Sequence, residues 1–136
     1  MVPFTATYQG QLRCVAVHGP SKTQLVTDAP VDNHGRGESF SPTDLVVTGL
    51  GTCMLTTMGI AAQREQAPLS DIRIAYEKHM TTAPPRRIAK IVVRFTMAAG
   101  IPAARRPVLE RAAHTCPVAL SLHPDIVLDV SFTYPD

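Results

Sequence analysis

The sequence has few cysteines and little excess charge. Its three cysteines, Cys14, Cys53 and Cys116, are an odd number and lie far apart along a chain of 136 residues. This pattern excludes a disulfide scaffold or a zinc knuckle, both of which need paired or closely spaced cysteines. Lys and Arg number 13 against 11 for Asp and Glu, which leaves a net charge of +2. So small an excess does not form the basic surface typical of nucleic-acid binding, and we expect no nucleic-acid partner.

The motifs of common cofactor sites are also missing. The five histidines are scattered, with no pair at the i, i+4 spacing of a helical metal site. No glycine-rich phosphate loop follows a predicted strand. We therefore predict neither a metal nor an organic cofactor. Residues 1–10 lack the basic start and apolar run of a secretory signal, so the cytosol is the expected compartment.

Apolar residues make up 45% of the chain and charged residues 18%, which is typical of a globular protein. The length predicts a single domain over residues 1–136. Helical signals start at Ser41 and recur over residues 103–115, and Pro117 predicts a break after the second helix. Alternating apolar residues predict strands near residues 2–8, 12–17, 23–27, 71–80, 89–97 and 126–132. The first two predict a hairpin with its turn at residues 9–11, and the fourth and fifth predict an antiparallel pair. This mixture predicts an α+β fold.

The segment Ser41-Pro42-Thr43-Asp44 marks the start of the central helix. It combines a Ser that can cap, a Pro that suits the first helical position, and a carboxylate three residues after the cap. Residues 45–63 then carry no charge, which is long enough to cross a bilayer. Three glycines and four threonines make this run too weakly hydrophobic for a membrane span. We interpret it as a buried helix that a second subunit helps to cover.

Two cysteines are placed where they could react with each other. Cys53 lies in the middle of the uncharged helix and Cys116 at the end of the second helix. Taken alone, a cysteine among apolar neighbours is usually an inert core residue. On adjacent helices, however, the two could come within the Cα separation of about 7 Å that a disulfide needs. A reactive thiol also needs a cation, because burial raises its pKa, and Arg36, Arg86 and Arg87 are candidates.

The segment from Gly37 to Leu45, running into Gly49-Leu50-Gly51-Thr52-Cys53-Met54, and the later segment His114-Thr115-Cys116-Pro117-Val118 resemble the OsmC/Ohr family. The resemblance covers nearly the whole chain and is best for the general OsmC-like branch. It implies an OsmC-like α+β fold, with antiparallel sheets packed around two central helices in an interlocked homodimer. It also implies a thiol-dependent peroxidase that reduces organic hydroperoxides at the dimer interface.

Carried over by this resemblance, Cys53 matches the peroxidatic cysteine and Cys116 the resolving cysteine. Cys53 would attack the hydroperoxide, and Cys116 would close a Cys53–Cys116 disulfide that an external dithiol reopens. Arg87 or Arg36 would keep Cys53 ionised, and Asp44 could orient that arginine. The resemblance thus supplies the two cysteines, and the residues of this sequence add Arg87, Arg36 and Asp44 as catalytic candidates.

The residues beside the two cysteines predict the preferred substrate. Apolar side chains available to contact it are Leu50, Met54, Met58 and Val118. Because each buried methylene contributes up to about 0.8 kcal/mol, a hydroperoxide with an apolar tail should react better than hydrogen peroxide. Thr43 stands where the specialised branches of the family have Glu, which predicts slower turnover than theirs.

Two other functions stay open from the sequence. The first is a non-catalytic OsmC-like dimer that binds or senses an apolar or electrophilic ligand, with the cysteines as packing residues. The second is a redox-sensing or structural dimer in which the disulfide forms but does not turn over. Consumption of peroxide in the presence of a thiol reductant separates these functions from a peroxidase.

Overall fold

The computed structural model describes residues 1–135. The chain forms two compact units, the first Met1–Val46 and the second from Val47 onward. A single domain over residues 1–136 stays a prediction.

The first unit contains a three-stranded antiparallel sheet. Its strands are β1 (Phe4–Gly10), β2 (Arg13–His18) and β3 (Gln24–Asp28), in the order β1-β2-β3. The predicted hairpin is confirmed, but β1 runs on to Gly10 and the turn falls at Gln11 and Leu12, which both have positive φ. A loop with one 3-10 turn at Val31–Asn33 then leads to the first helix.

Helix α1 (Pro42–Glu65) begins where the capping signals predict. The Ser41 backbone N–H donates to Asp44 Oδ2 at 2.9 Å, and the Asp44 N–H donates to Ser41 Oγ at 3.1 Å. These reciprocal bonds satisfy two backbone donors at the helix start. The boundary between the two units falls within this helix, after Val46.

The second unit carries the rest of α1, a second sheet and two shorter helices. The strands are β4 (Arg73–Met80), β5 (Ile88–Thr96) and β6 (Val127–Thr133), and the helices are α2 (Arg106–His114) and α3 (Pro117–Ser121). Strands β4 and β5 pair antiparallel, as predicted, but β6 runs parallel to β5. The prediction that both sheets are antiparallel is therefore wrong for this sheet. The chain crosses from β5 to β6 through α2 and α3, and a helical crossover returns the chain in a parallel direction.

The core of the second unit joins α1 to this sheet. Leu50, Met54 and Met58 are fully buried together with Ile91 and Val93 of β5. Pro42–Glu65 is long and apolar enough to cross a membrane by length and composition alone. Its buried face in this core accounts for its apolar character equally well. The α+β class is confirmed, while the interlocked homodimer stays a prediction.

Candidate functional site

The fold brings Cys53 and Cys116 into contact. Cys53 lies in the middle of α1, and Cys116 lies between α2 and α3 in an extended conformation, which a residue before proline favours. The two thiol groups hydrogen-bond to each other, and both cysteines are free. Residues 63 positions apart in the sequence thus form one dithiol pair. Their contact meets the first requirement for a reversible disulfide.

The two thiols have different surroundings. Cys116 has no exposed surface, whereas Cys53 is half-buried. Burial raises the pKa of the Cys116 thiol, and its hydrogen bond to Cys53 raises it further. The Ala119 N–H, which donates to Cys116 Sγ at 3.3 Å, partly offsets these effects. Cys116 is therefore a protonated thiol at neutral pH, and Cys53 is the more accessible cysteine of the pair.

The Thr57 hydroxyl connects the two helices that carry this pair, and no sequence pattern indicated it. Thr57 Oγ1 lies 3.0 Å from the carbonyl oxygen of Ala112 in α2. The same hydroxyl lies 3.1 Å from the Cys53 carbonyl and 2.9 Å from the Met54 carbonyl within α1. Threonine in a helix usually bonds only to its own preceding turn, so the periodicity of α1 gave no signal of the bond to α2. Thr57 is one turn after Cys53 and fixes α1 against α2 close to the dithiol pair.

The arginine and carboxylate candidates occupy other positions. Arg87 lies at the start of β5, beside a cavity of about 440 Å³ in the β4–β5 turn, and its Nη1 is 3.4 Å from the Ile88 carbonyl oxygen. Arg36 and Asp44 belong to the first unit, where Asp44 caps α1. The structure brings Cys53 and Cys116 together, and the roles of Arg87, Arg36 and Asp44 toward them stay predictions.

The predicted substrate-contacting residues are mostly core residues. Leu50, Met54 and Met58 have no exposed surface, while Val118 is partly buried and packs against the same core. In this conformation the first three offer no surface to a ligand. Their helix periodicity was visible in the sequence, but periodicity alone does not say which face meets the sheet. A substrate-binding role for these four residues stays a prediction.

Sequence reasoning missed an ion-pair network in the first unit. Arg13 Nε and Nη2 each lie 2.7 Å from an oxygen of Asp28, and Nη2 is also 2.8 Å from Glu38 Oε2. The Asp28 side chain is fully buried, and its hydrogen bonds to Arg13 lower its pKa, with a smaller contribution from the charge of Arg36. Arg13 and Asp28 are opposite each other in the β2–β3 pairing, so the hairpin register was the signal that could have found them. This bidentate pair fixes the loop that precedes α1.

The first unit also contains an apolar cavity of about 510 Å³. Phe4, Cys14, Leu25 and Leu45 are among the residues that line it. Its volume is within the range of small-molecule sites. Within residues 1–135, no group of three or more His, Cys, Asp or Glu side chains is arranged to hold a metal ion.

These features define a class of α+β protein with a free dithiol pair between adjacent helices. A family model described as OsmC-like protein matches residues 35–131. A solved structure from Psychrobacter arcticus, provisionally described as an osmotic stress induced and detoxification response protein, has 40% identity and a TM-score of 0.92. The match covers 98% of this chain and 96% of that one. The chain belongs to the OsmC-like family.

More distant solved structures share the fold. An organic hydroperoxide resistance protein OsmC from Legionella pneumophila has 16% identity and a TM-score of 0.77, covering 98% of this chain and 96% of that one. A Vibrio cholerae protein provisionally described as an organic hydroperoxide resistance protein, with captopril in one of its active sites, has 16% identity and a TM-score of 0.74. That match covers 96% of this chain and 90% of the other. No curated protein matches the chain. Structures of this fold thus include proteins named for resistance to organic hydroperoxides.

Proposed function

We propose that this protein is a thiol-dependent peroxidase that reduces organic hydroperoxides. The observation that carries the proposal is the contact between the free thiols of Cys53 and Cys116 on adjacent helices. Membership of the OsmC-like family supports it. The unequal burial of the two cysteines supports different roles for them, with Cys53 as the attacking residue and Cys116 as the resolving residue.

The reaction proceeds in three steps. The Cys53 thiolate attacks one peroxide oxygen, the O–O bond breaks, and the alcohol leaves after taking up a proton, so that Cys53 becomes a sulfenic acid. The Cys116 sulfur then attacks the Cys53 sulfur, and water leaves as the disulfide forms. A dithiol reductant restores both thiols by exchange. Because Cys116 already contacts Cys53, the second step needs little rearrangement.

An arginine assists the first step in this proposal. Arg87 or Arg36 would favour the Cys53 thiolate and orient the peroxide, with Asp44 holding the arginine. Thr43 follows Pro42 in the position where the specialised branches have Glu, so we expect turnover slower than theirs. Arg87→Met and Arg36→Met, each compared with the parent protein by single-turnover kinetics, identify which arginine acts.

An apolar tail on the substrate would contact side chains near the dithiol pair. Val118 is the predicted contact that retains some exposure, and half-buried Leu55 is a second apolar neighbour. Contact of Leu50, Met54 or Met58 with the tail would need the core to rearrange. We expect cumene hydroperoxide to react faster than hydrogen peroxide by about one to three orders of magnitude.

We also propose a homodimer. Thr52, Thr56 and Ile60 form an uncharged, exposed stripe along α1. The Thr52 and Thr56 hydroxyls each donate to a carbonyl one turn earlier, both at 2.8 Å, so their protons are already used within the helix. Such a stripe suits burial against a second copy. Light scattering should report a dimer for the parent, and Ile60→Arg should give monomer. A folded monomeric parent at micromolar concentration would contradict the proposal.

A binding protein is the second candidate, because the first unit contains the apolar cavity lined by Phe4, Leu25 and Leu45. An apolar ligand would occupy it without any reaction at the cysteines. Calorimetry with apolar ligands lacking a peroxide group, on the Cys53→Ser variant, tests this function separately from catalysis.

Steady-state consumption of cumene hydroperoxide with dithiothreitol tests the peroxidase. We expect Cys53→Ser to abolish consumption, and Cys116→Ser to react once and leave a sulfenic acid that dimedone traps. Cys14→Ser is the matched control and should keep the parent rate. Equal activity of the parent and Cys53→Ser would refute the proposed function.

A further inference from the structure

The two sulfurs of the dithiol pair differ in access to solvent. Cys116 has no exposed surface within the chain, and it belongs to a core cluster with Leu109 and Ala113 of α2. Cys53 is half-buried. Because association with a second subunit can only remove further surface from solvent, Cys116 stays closed in any assembly that keeps this fold.

This difference bears on how the disulfide is reduced. A reducing thiolate must reach one of the two sulfurs directly, and the other sulfur then leaves. Attack at Cys116 would require the core around α2 and α3 to open. Attack at Cys53 occurs at the cysteine of the pair that keeps exposed surface within the chain.

One contact of Cys116 assists its departure as a thiolate. Its Sγ accepts a hydrogen bond from the Ala119 N–H at 3.3 Å. A backbone donor held in place by α3 can stabilise the negative charge that develops on Cys116 as the disulfide breaks. Burial raises the pKa of Cys116 and this bond offsets only part of that effect, so access to the two cysteines, and not the leaving-group pKa, sets the direction of exchange.

We propose that the reductant enters this site at Cys53 and that Cys116 is always the leaving sulfur, an inference that rests on the proposed peroxidase cycle. One thiolate of a dithiol attacks Cys53 Sγ, a new S–S bond forms, and the Cys53–Cys116 bond breaks. Cys116 leaves as a thiolate and takes up a proton. The second thiol of the reductant then attacks its own sulfur in the mixed disulfide, which releases Cys53 as a thiolate and the reductant as a cyclic disulfide.

Mapping of a trapped mixed disulfide tests the direction. The Cys14→Ser variant is oxidised with diamide to the Cys53–Cys116 disulfide, which intact mass reports as the loss of two hydrogen atoms. It is then mixed briefly with excess glutathione, quenched with acid, alkylated with N-ethylmaleimide and digested. Because glutathione has a single thiol, completion of the cycle needs a second glutathione molecule, so a short reaction time and the acid quench leave adduct to be mapped.

We expect glutathione on Cys53 and N-ethylmaleimide on Cys116, in excess over the reverse pattern by about tenfold or more. A glutathione adduct mainly on Cys116, or spread equally over both sulfurs, would overturn the proposal. Failure of diamide to form the Cys53–Cys116 disulfide would overturn both this proposal and the peroxidase cycle. A disulfide that forms with diamide but not with cumene hydroperoxide would refute the peroxidase alone and leave the direction of exchange measurable.

A second measurement compares thiol access without any disulfide. On the Cys14→Ser background, Cys116→Ser leaves only Cys53, and Cys53→Ser leaves only Cys116. Ellman's reagent should modify Cys53 about tenfold faster or more under native conditions, and the two rates should converge in denaturant. Native rates that are equal, or faster for Cys116, would contradict the inference.

Discussion

Replacing Thr57 by valine removes the hydroxyl that joins α1 to α2 beside the dithiol pair, while it keeps the side-chain shape. The lost bond is the one of 3.0 Å to the Ala112 carbonyl oxygen. A hydrogen bond of this kind contributes about 1 kcal/mol, and the Ala112 oxygen would keep only the long bond of 3.5 Å from Thr115 Oγ1, which can add to the cost. We therefore expect the free energy of unfolding to fall by about 1–2 kcal/mol.

The same change should weaken the Cys53–Cys116 disulfide. The hydroxyl holds the helices together in the dithiol form, whereas the covalent bond holds them in the oxidised form. Its loss lets the two thiols separate and makes the disulfide harder to close. If about 1 kcal/mol of this restraint disappears, the equilibrium constant for disulfide formation against dithiothreitol should fall about fivefold.

Urea unfolding and redox equilibration measure these two effects. Thr56→Val is the matched control, because Thr56 is exposed and its hydroxyl bonds only within α1, to the Thr52 carbonyl oxygen at 2.8 Å. Thr57→Ser restores a hydroxyl and should recover most of the disulfide constant. If Thr57→Val and Thr56→Val have the same disulfide constant as the parent, the Thr57 hydroxyl does not position the pair.

Two further predictions concern stability. A Cβ added by Gly51→Ala would clash with the Tyr76 ring, so urea unfolding should show a loss of stability of about 1–3 kcal/mol. The control Gly49→Ala, whose Cβ would meet nothing within 4 Å, should be neutral or stabilising. Equal effects of the two substitutions would contradict the close approach of Tyr76 to Gly51. The hydrogen bonds from Arg13 lower the pKa of Asp28 in the folded protein. The stability that this pair contributes is therefore present at neutral pH and is lost as the pH falls through the lowered pKa of Asp28. Urea unfolding as a function of pH should show this acid loss in the parent and a flatter profile in Asp28→Asn, and identical profiles would contradict it.

Local patterns in the sequence predicted the local elements of this fold well. The start of α1 at Pro42 followed from a capping sequence whose hydrogen bonds are local. The antiparallel pairing of β4 and β5 followed from two alternating runs joined by a short turn. The parallel direction of β6 was missed, because alternation marks a strand but not its direction, and the helical crossover sets the direction.

Long-range contacts of the site were harder to predict. The Cys53–Cys116 contact was expected from a family resemblance and could not be derived from spacing, because it depends on how α1 packs against the end of α2. The bond from Thr57 to Ala112 depends on the same packing and had no sequence signal. The pairing of Arg13 with Asp28 depends on the strand register, which the hairpin turn sets only once its position is known.

The most direct test of the peroxidase is a single turnover of the fully reduced protein with one equivalent of cumene hydroperoxide. The products are cumyl alcohol, measured by chromatography, and any disulfide, located by peptide mapping without reduction. The proposed cycle predicts one alcohol per peroxide and a disulfide that joins Cys53 to Cys116. Peroxide left unconsumed while Cys53 stays reduced, or a disulfide that involves Cys14 instead, would contradict it.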